Sequence, residues 1–218
     1  MSSSTNSNDQ SMVKHPVLVE VANAITHGVG AACAIVGLVF LIIKAASTGS
    51  PMRIVTFTIY GSILILFYLS STLYHALSFT KARGVFRRLD HSMIYVLIAG
   101  TYTPYCLVAI KGWLGWTIFG VIWAMAIGGI VYKCVAKPHK SKWSTVFYVI
   151  MGWFCIIALW PLFKALGTMG LALLVAGGVT FTVGTFFYSR KNPWNHVIWH
   201  LFVFAGTVLM YFSIILYC

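Results

Sequence analysis

Seven long apolar runs, separated by short polar or basic segments, dominate the chain. They cover about residues 18–43, 54–78, 91–110, 113–132, 143–163, 166–189 and 195–217. Each is close to the roughly 20 residues an α-helix needs to cross the hydrocarbon core of a bilayer. Alternating segments of the β-barrel kind are absent, and a backbone in lipid must satisfy its own hydrogen bonds, so the pattern predicts helices. Only Lys111-Gly112 splits the third run from the fourth, a hairpin that Gly112 can start by ending a helix. The expected fold is all-α: a seven-transmembrane helix bundle over residues 17–218. Residues 1–16 read as a disordered cytoplasmic tail, because MSSSTNSNDQ is polar and lacks the basic-then-apolar order of a signal peptide. No internal repeat is evident, which counts against an inverted-repeat transporter.

Composition sharpens this. Of 218 residues, 60% are apolar and 8% charged, whereas a soluble domain carries about 25% charged residues. The solvent for most of this surface must be lipid. The formal net charge of +12 would suit a nucleic-acid binder, but the basic residues sit in short clusters between apolar runs, as in membrane-protein loops. Nucleic acid is therefore not an expected partner. Five scattered cysteines without a CxxC pair read as reduced and packed.

Charge also predicts orientation. With the N-terminus inside, eleven basic residues fall in inner segments: Lys14, Lys81, Arg83, Arg87, Arg88, Lys133, Lys137, Lys140, Lys142, Arg190 and Lys191. Four fall in outer ones: Lys44, Arg53, Lys111 and Lys164. That bias predicts a cytoplasmic N-terminus and an outside C-terminus. The inner clusters, with aromatic neighbours such as Trp143, suit anionic lipid headgroups.

The chain has three acidic residues, two of them at the edges of apolar runs: Glu20 and Asp90. Ionisable groups there are costly and usually functional. With the orientation above, Glu20, His27, His75, Asp90, His196 and His200 all fall in the cytoplasmic third. No His, Asp or Glu lies in the outer half of any run. His196 and His200, four apart, share one helix face, a spacing that can place two imidazoles on one metal. A third ligand must come from another helix, and His75 and Asp90 lie at the right depth. Three His and an open fourth position make a catalytic zinc arrangement, and imidazole donors favour zinc over magnesium or calcium. The plainer alternative is a pair of bundle histidines hydrogen-bonded across helices.

Glu20, Asn23 and His27 form one polar stripe that either orients the ligands from behind or bonds within the bundle. Ser71 shares the face of His75, where it either orients water or substrate or bonds back to its own helix. His91 points about 100° from Asp90 and reads as interfacial. His15 and His139 read as solvated. Pro104 should kink the third helix, with threonine hydroxyls meeting the freed carbonyls.

Five ordered motifs carry a resemblance: Glu20-Val-Ala-Asn23-Ala-Ile-Thr26-His27, Ser71-Thr-Leu-Tyr74-His75, Leu89-Asp90-His91, Gly100-Thr-Tyr-Thr-Pro104 and Asn195-His196-Val-Ile-Trp-His200. Together they resemble the hemolysin III family, the bacterial branch of the progestin and adipoQ receptor family, across nearly the whole chain. The resemblance implies a seven-helix bundle with an intracellular N-terminus in the bacterial cell (inner) membrane. It implies zinc on His75, His196 and His200, with Asp90 facing the open position and Ser71 nearby. Adiponectin receptors are linked to ceramide hydrolysis, and alkaline ceramidases share related motifs. The implied function is zinc-dependent hydrolysis of a lipid amide or ester in membrane lipid homeostasis, with a membrane lipid as substrate or ligand. The competing reading is a non-enzymatic sensor of lipid state whose zinc is structural, Asp90 closing the site. A transporter lacks polar residues continuing outward, and a hemolytic pore lacks an amphipathic stripe.

Overall fold

The computed structural model describes residues 7–135 and 142–218. Every regular element among them is helical: α1 (Ser7–Ser47), α2 (Pro51–Ala76), α3 (Arg83–Pro104), α4 (Gly112–Val135), α5 (Lys142–Trp153), α6 (Leu159–Tyr188) and α7 (Trp194–Tyr217). Residues 1–6 of the expected tail, and Lys137, His139 and Lys140, lie outside the described residues, and the side chains of Asp9 and His15 are likewise not described. Six stretches are long and apolar enough to cross a membrane, and large apolar side chains such as Phe40, Ile43, Val131 and Ile157 face outward. In water this surface would be a severe liability, so the chain is an all-α integral membrane protein.

Local chemistry explains the boundaries. Ser50 caps α2 by accepting from the Arg53 amide, and Pro51 fills the first position, where a missing N–H costs nothing. At the end of α3, Pro104 is followed by a π-helical turn, Tyr105–Ile110. The Lys111 amide reaches back five residues to the Cys106 carbonyl at 2.9 Å. The threonines nearby bond to Leu97 and Ala99 rather than to the Gly100 carbonyl that Pro104 leaves without its usual donor. The hairpin into α4 uses two consecutive residues at positive φ, Lys111 at 60° and Gly112 at 58°.

The stretch Ser144–Tyr188 is 45 residues long, about 67 Å if it were one straight helix, against a hydrocarbon core of about 30 Å. It does not run straight. Trp153 Nε1 donates to Thr182 Oγ1 at 2.9 Å, although 29 residues of continuous helix would separate them by about 44 Å. The chain reverses inside α6 at Gly167, whose φ of 66° and ψ of −176° suit glycine. A second interruption lies between α5 and α6, where Phe154–Ala158 tightens to 3-10 geometry. Pro161 accounts for it: with no N–H, it cannot bond the Ile157 carbonyl four residues earlier.

α1 packs on α2, α2 on α3, α3 on α4 and α6 on α7. After the reversal, α6 lies tight against α7, and a Cβ added at Gly184 would stand 2.8 Å from the Cβ of Phe202 and 2.9 Å from the Trp199 ring. That close approach draws the first turns of α7, with His196 and His200, into the bundle.

Candidate metal centre

Three elements bring the site together. The inward face of α2 ends in Ser71 and His75, the first turns of α7 carry His196 and His200, and α1 lays Glu20, Asn23, Thr26 and His27 against both. Ligand atoms of His75, His196 and His200 all lie within 4.8 Å of one another. Ring centroids are 5.0 Å apart for His75–His200, 4.7 Å for His196–His200 and 5.2 Å for His75–His196. His75 and His200 are 3% and 2% exposed. Two buried imidazoles and one half-buried one lie this close, and a metal ion is the simplest thing for them to share.

The hydrogen bonds set the rings for it. His75 Nδ1 meets Glu20 Oε2 at 2.6 Å, while its Nε2 is buried with no hydrogen-bond partner. A carboxylate only accepts, so Nδ1 carries the proton and Nε2 keeps its lone pair, the ligating tautomer. His200 is fixed the same way. The Thr26 hydroxyl donates its single proton to the Asn23 carbonyl at 2.9 Å, so toward His200 Nδ1, 3.2 Å away, its oxygen must accept. His200 Nδ1 is then protonated and Nε2 is free to bind. These are the bonds that typically orient metal-binding histidines from behind.

The rest of the stripe behaves differently from a set of hydrogen-bonding partners. His27 stacks on His200, centroids 3.6 Å apart and planes 18° apart, and meets Tyr68 edge-on at 5.1 Å. Both His27 nitrogens and Asn23 Oδ1 are buried without a hydrogen-bond partner among the described residues. Thr26, in the same turn of α1 as Asn23, supplies the bond to His200. Its hydroxyl also bonds back to its own helix, which is why sequence alone makes it look structural.

Asp90 lies outside the three-imidazole set. It is 9% exposed and faces His75, His91 and Ser71. Ser70 bonds back to the Phe67 carbonyl at 2.8 Å, whereas Ser71 Oγ is buried and makes no such bond. His91, expected at the interface, is half-buried and hydrogen-bonded. Its Nδ1 donates to the Arg87 carbonyl at 2.7 Å, its Nε2 lies 3.4 Å from the Tyr188 hydroxyl, and its own carbonyl accepts from Tyr148 at 3.0 Å. Tyr188 in turn packs on the His196 ring, 5.8 Å between centroids.

Beside the cluster lies a largely apolar cavity lined by side chains from α2 through α7. Tyr148, Tyr188 and Trp199 line its cluster end, and Ile118, Leu162 and Met210 its far end. From Ile94 to Ile110 on one wall is about 24 Å of helix, the length of a long acyl chain.

A membrane bundle with a close trio of imidazoles from two helices, two of them buried, an adjacent carboxylate and an apolar chamber defines a class: membrane proteins able to hold a metal within the bundle. Comparison with known proteins identifies the family. The model of the Haemolysin-III related family matches residues 17–211, and the chain belongs to that family. Hemolysin-3 of Bacillus cereus is 48% identical over 199 residues, covering 91% of each chain. The Hemolysin-3 homolog of Bacillus subtilis (strain 168) is 48% identical over 200 residues, covering 91% of this chain and 94% of that one. Human monocyte to macrophage differentiation factor is 29% identical over 167 residues, 73% of this chain and 69% of its own length.

Proposed function

We propose that this protein is a zinc-dependent hydrolase of lipid amides or esters in the bacterial cell membrane, serving membrane lipid homeostasis. The observation carrying the reading is the paired tautomer control. Glu20 and Thr26 each hold the Nδ1 proton of one imidazole, leaving His75 Nε2 and His200 Nε2 as donors beside His196. Three nitrogen donors with Asp90 outside the set suit an open zinc site better than a closed one. Zinc held there supplies Lewis acidity and lowers the pKa of water from 15.7 to about 7. Asp90, at the side of His75, is placed to take a proton from water and return it to the leaving amine or alcohol. The Ser71 hydroxyl, beside Asp90, is placed to orient that water or the scissile carbonyl. The apolar cavity receives the acyl chain, with its Tyr148 and Tyr188 end nearest the chemistry.

This reading includes seven spans. Ser144–Tyr188 counts as two passes because it is twice the needed length and reverses at Gly167. The N-terminus is cytoplasmic by the bias of basic residues, which puts the metal centre near the cytosol, and the basic inner segments meet anionic headgroups.

The test is to purify the protein, measure bound metal and assay fatty-acid release from ceramide with wild type and Asp90→Ala. Zinc at one per chain and turnover lost with Asp90 are expected. Zinc retained with no turnover of any lipid amide or ester would replace this reading with a structural metal in a lipid-sensing protein. Turnover surviving the loss of Asp90 would remove its role as base.

A further inference from the structure

The interruption Phe154–Ala158 sits in the wall of the apolar cavity. Helix geometry fails at both ends of it: Trp153 has φ −89° and ψ 3°, and Ala158 has φ −115° and ψ 21°. Where a helix in lipid is broken, the freed backbone groups must find other partners. Here one side chain serves two of them. The Tyr102 hydroxyl donates to the Gly152 carbonyl at 2.8 Å and accepts from the Cys155 amide at 2.7 Å. Trp153 is tied separately to Thr182 at 2.9 Å, and Thr182 to the Gly178 carbonyl at 2.8 Å.

The segment is also thin. Gly152, Trp153, Cys155 and Ala158 line the cavity, while Ile156 and Ile157 on its other face are 58% and 62% exposed. One turn of non-α backbone, pinned by neighbouring side chains, separates the chamber from the bilayer. On the opposite wall the π-helical turn Tyr105–Ile110 is also irregular, but Tyr105 and Cys106 there are buried rather than turned to the bilayer.

We propose that Gly152–Ala158 is the lateral gate through which an acyl chain passes from the bilayer into the cavity, and that the Tyr102 hydroxyl is its latch. Opening breaks the three side-chain bonds and the packing of Ala158, Phe154 and Cys155 as the 3-10 turn swings outward, with α5 before it and α6 after it intact. The inference rests on the reading of the cavity as an acyl site, and adds the route and the residue controlling it. A gate changes rates in both directions and leaves equilibrium affinity alone, because neither the free nor the filled state is altered. A mere wall residue shifts affinity.

The probe is brominated palmitic acid, added to the full chain in phosphatidylglycerol vesicles and read by quenching of tryptophan fluorescence, since Trp153 and Trp199 line the cavity. Tyr102→Phe keeps the ring and removes both bonds. It is expected to raise the association and dissociation rates together, by about tenfold from two lost hydrogen bonds, with the midpoint of quenching unchanged within about twofold. Thr182→Val, which frees Trp153, should raise both rates less and carries the test if Tyr102→Phe fails to fold. Thr117→Val, on α4 with its hydroxyl bonded only to its own helix, is the control and should match wild type. Unaltered rates in Tyr102→Phe, or a midpoint moving as far as one rate, would overturn the gate while leaving the acyl cavity standing. No quenching of wild type beyond protein-free vesicles would overturn both.

Discussion

Replacing Glu20 by Gln probes the metal centre without touching a proposed ligand. The carboxylate sits 2.6 Å from His75 Nδ1, a short, charge-assisted contact. Gln can still accept a hydrogen bond there, so the ring keeps its place and tautomer, and what disappears is the negative charge behind the donor nitrogen. Losing such a partner typically costs 10- to 100-fold in metal affinity, which is about 1.4–2.7 kcal/mol. At fixed free zinc well above Kd, the stabilisation of the folded state should fall by the same amount. In a chain of this size, each kcal/mol corresponds to about 2–4 °C in Tm, so the zinc-dependent part of Tm should drop by about 3–11 °C. Two assays check it: competition for zinc against a chelator of known affinity, and melting with and without that chelator. The signature is a difference between variant and wild type that is larger in zinc than in chelator. An unchanged zinc Kd in Glu20→Gln, alongside a His75→Ala variant that binds no zinc, would show that the Glu20–His75 pair plays no part in tuning the donor. An equal Tm loss with and without metal would make it a purely structural pair.

Other outcomes follow from the same geometry. His200→Ala should reduce bound zinc to a small fraction of one per chain by elemental analysis, and unchanged zinc would refute the donor set. Zinc affinity should weaken as pH falls, because protons compete for all three imidazoles and only the neutral form binds; an affinity independent of pH between 8 and 5 would exclude histidine ligation. Asp90→Asn should keep its zinc while turnover of the lipid substrate falls by about 10²–10⁴-fold, and a parallel loss of zinc would make Asp90 a ligand instead. Gly184→Ala forces a methyl within 2.8 Å of Phe202 and should cost about 1–3 kcal/mol, seen as a lower Tm and weaker zinc binding. A neutral result would mean that α7 is not held tightly against α6.

The helices and the site were legible to different depths. The apolar runs mark the helices because lipid tolerates no other backbone, and His196 and His200 advertise themselves by their spacing on one face. His75 and Asp90 join them only once the basic residues fix which end of each helix is which. The reversal at Gly167 agrees with the expected break between runs near residues 163–166, yet a lone glycine between Leu166 and Thr168 gives no local sign that it turns the chain. Pro161 explains the loosened turn before it, because a proline withholds a hydrogen bond from the residue four back, but the apolar run 143–163 reads straight through it. The contacts of Tyr102, Thr26 and His27 were not legible. Each depends on the lateral distance between helices, which periodicity along one chain does not encode. Tyr102 reads as one more membrane aromatic, Thr26 as a self-bonded hydroxyl, and His27 as another member of the stripe instead of a ring stacked on His200.

X-ray absorption at the zinc edge, on purified wild type and His196→Ala, tests the central claim most directly. One zinc per chain surrounded by three imidazole nitrogens in wild type, and loss of that metal in the variant, is the expected result. Zinc bound through sulfur or carboxylate oxygen alone, or retained unchanged without His196, would contradict the account.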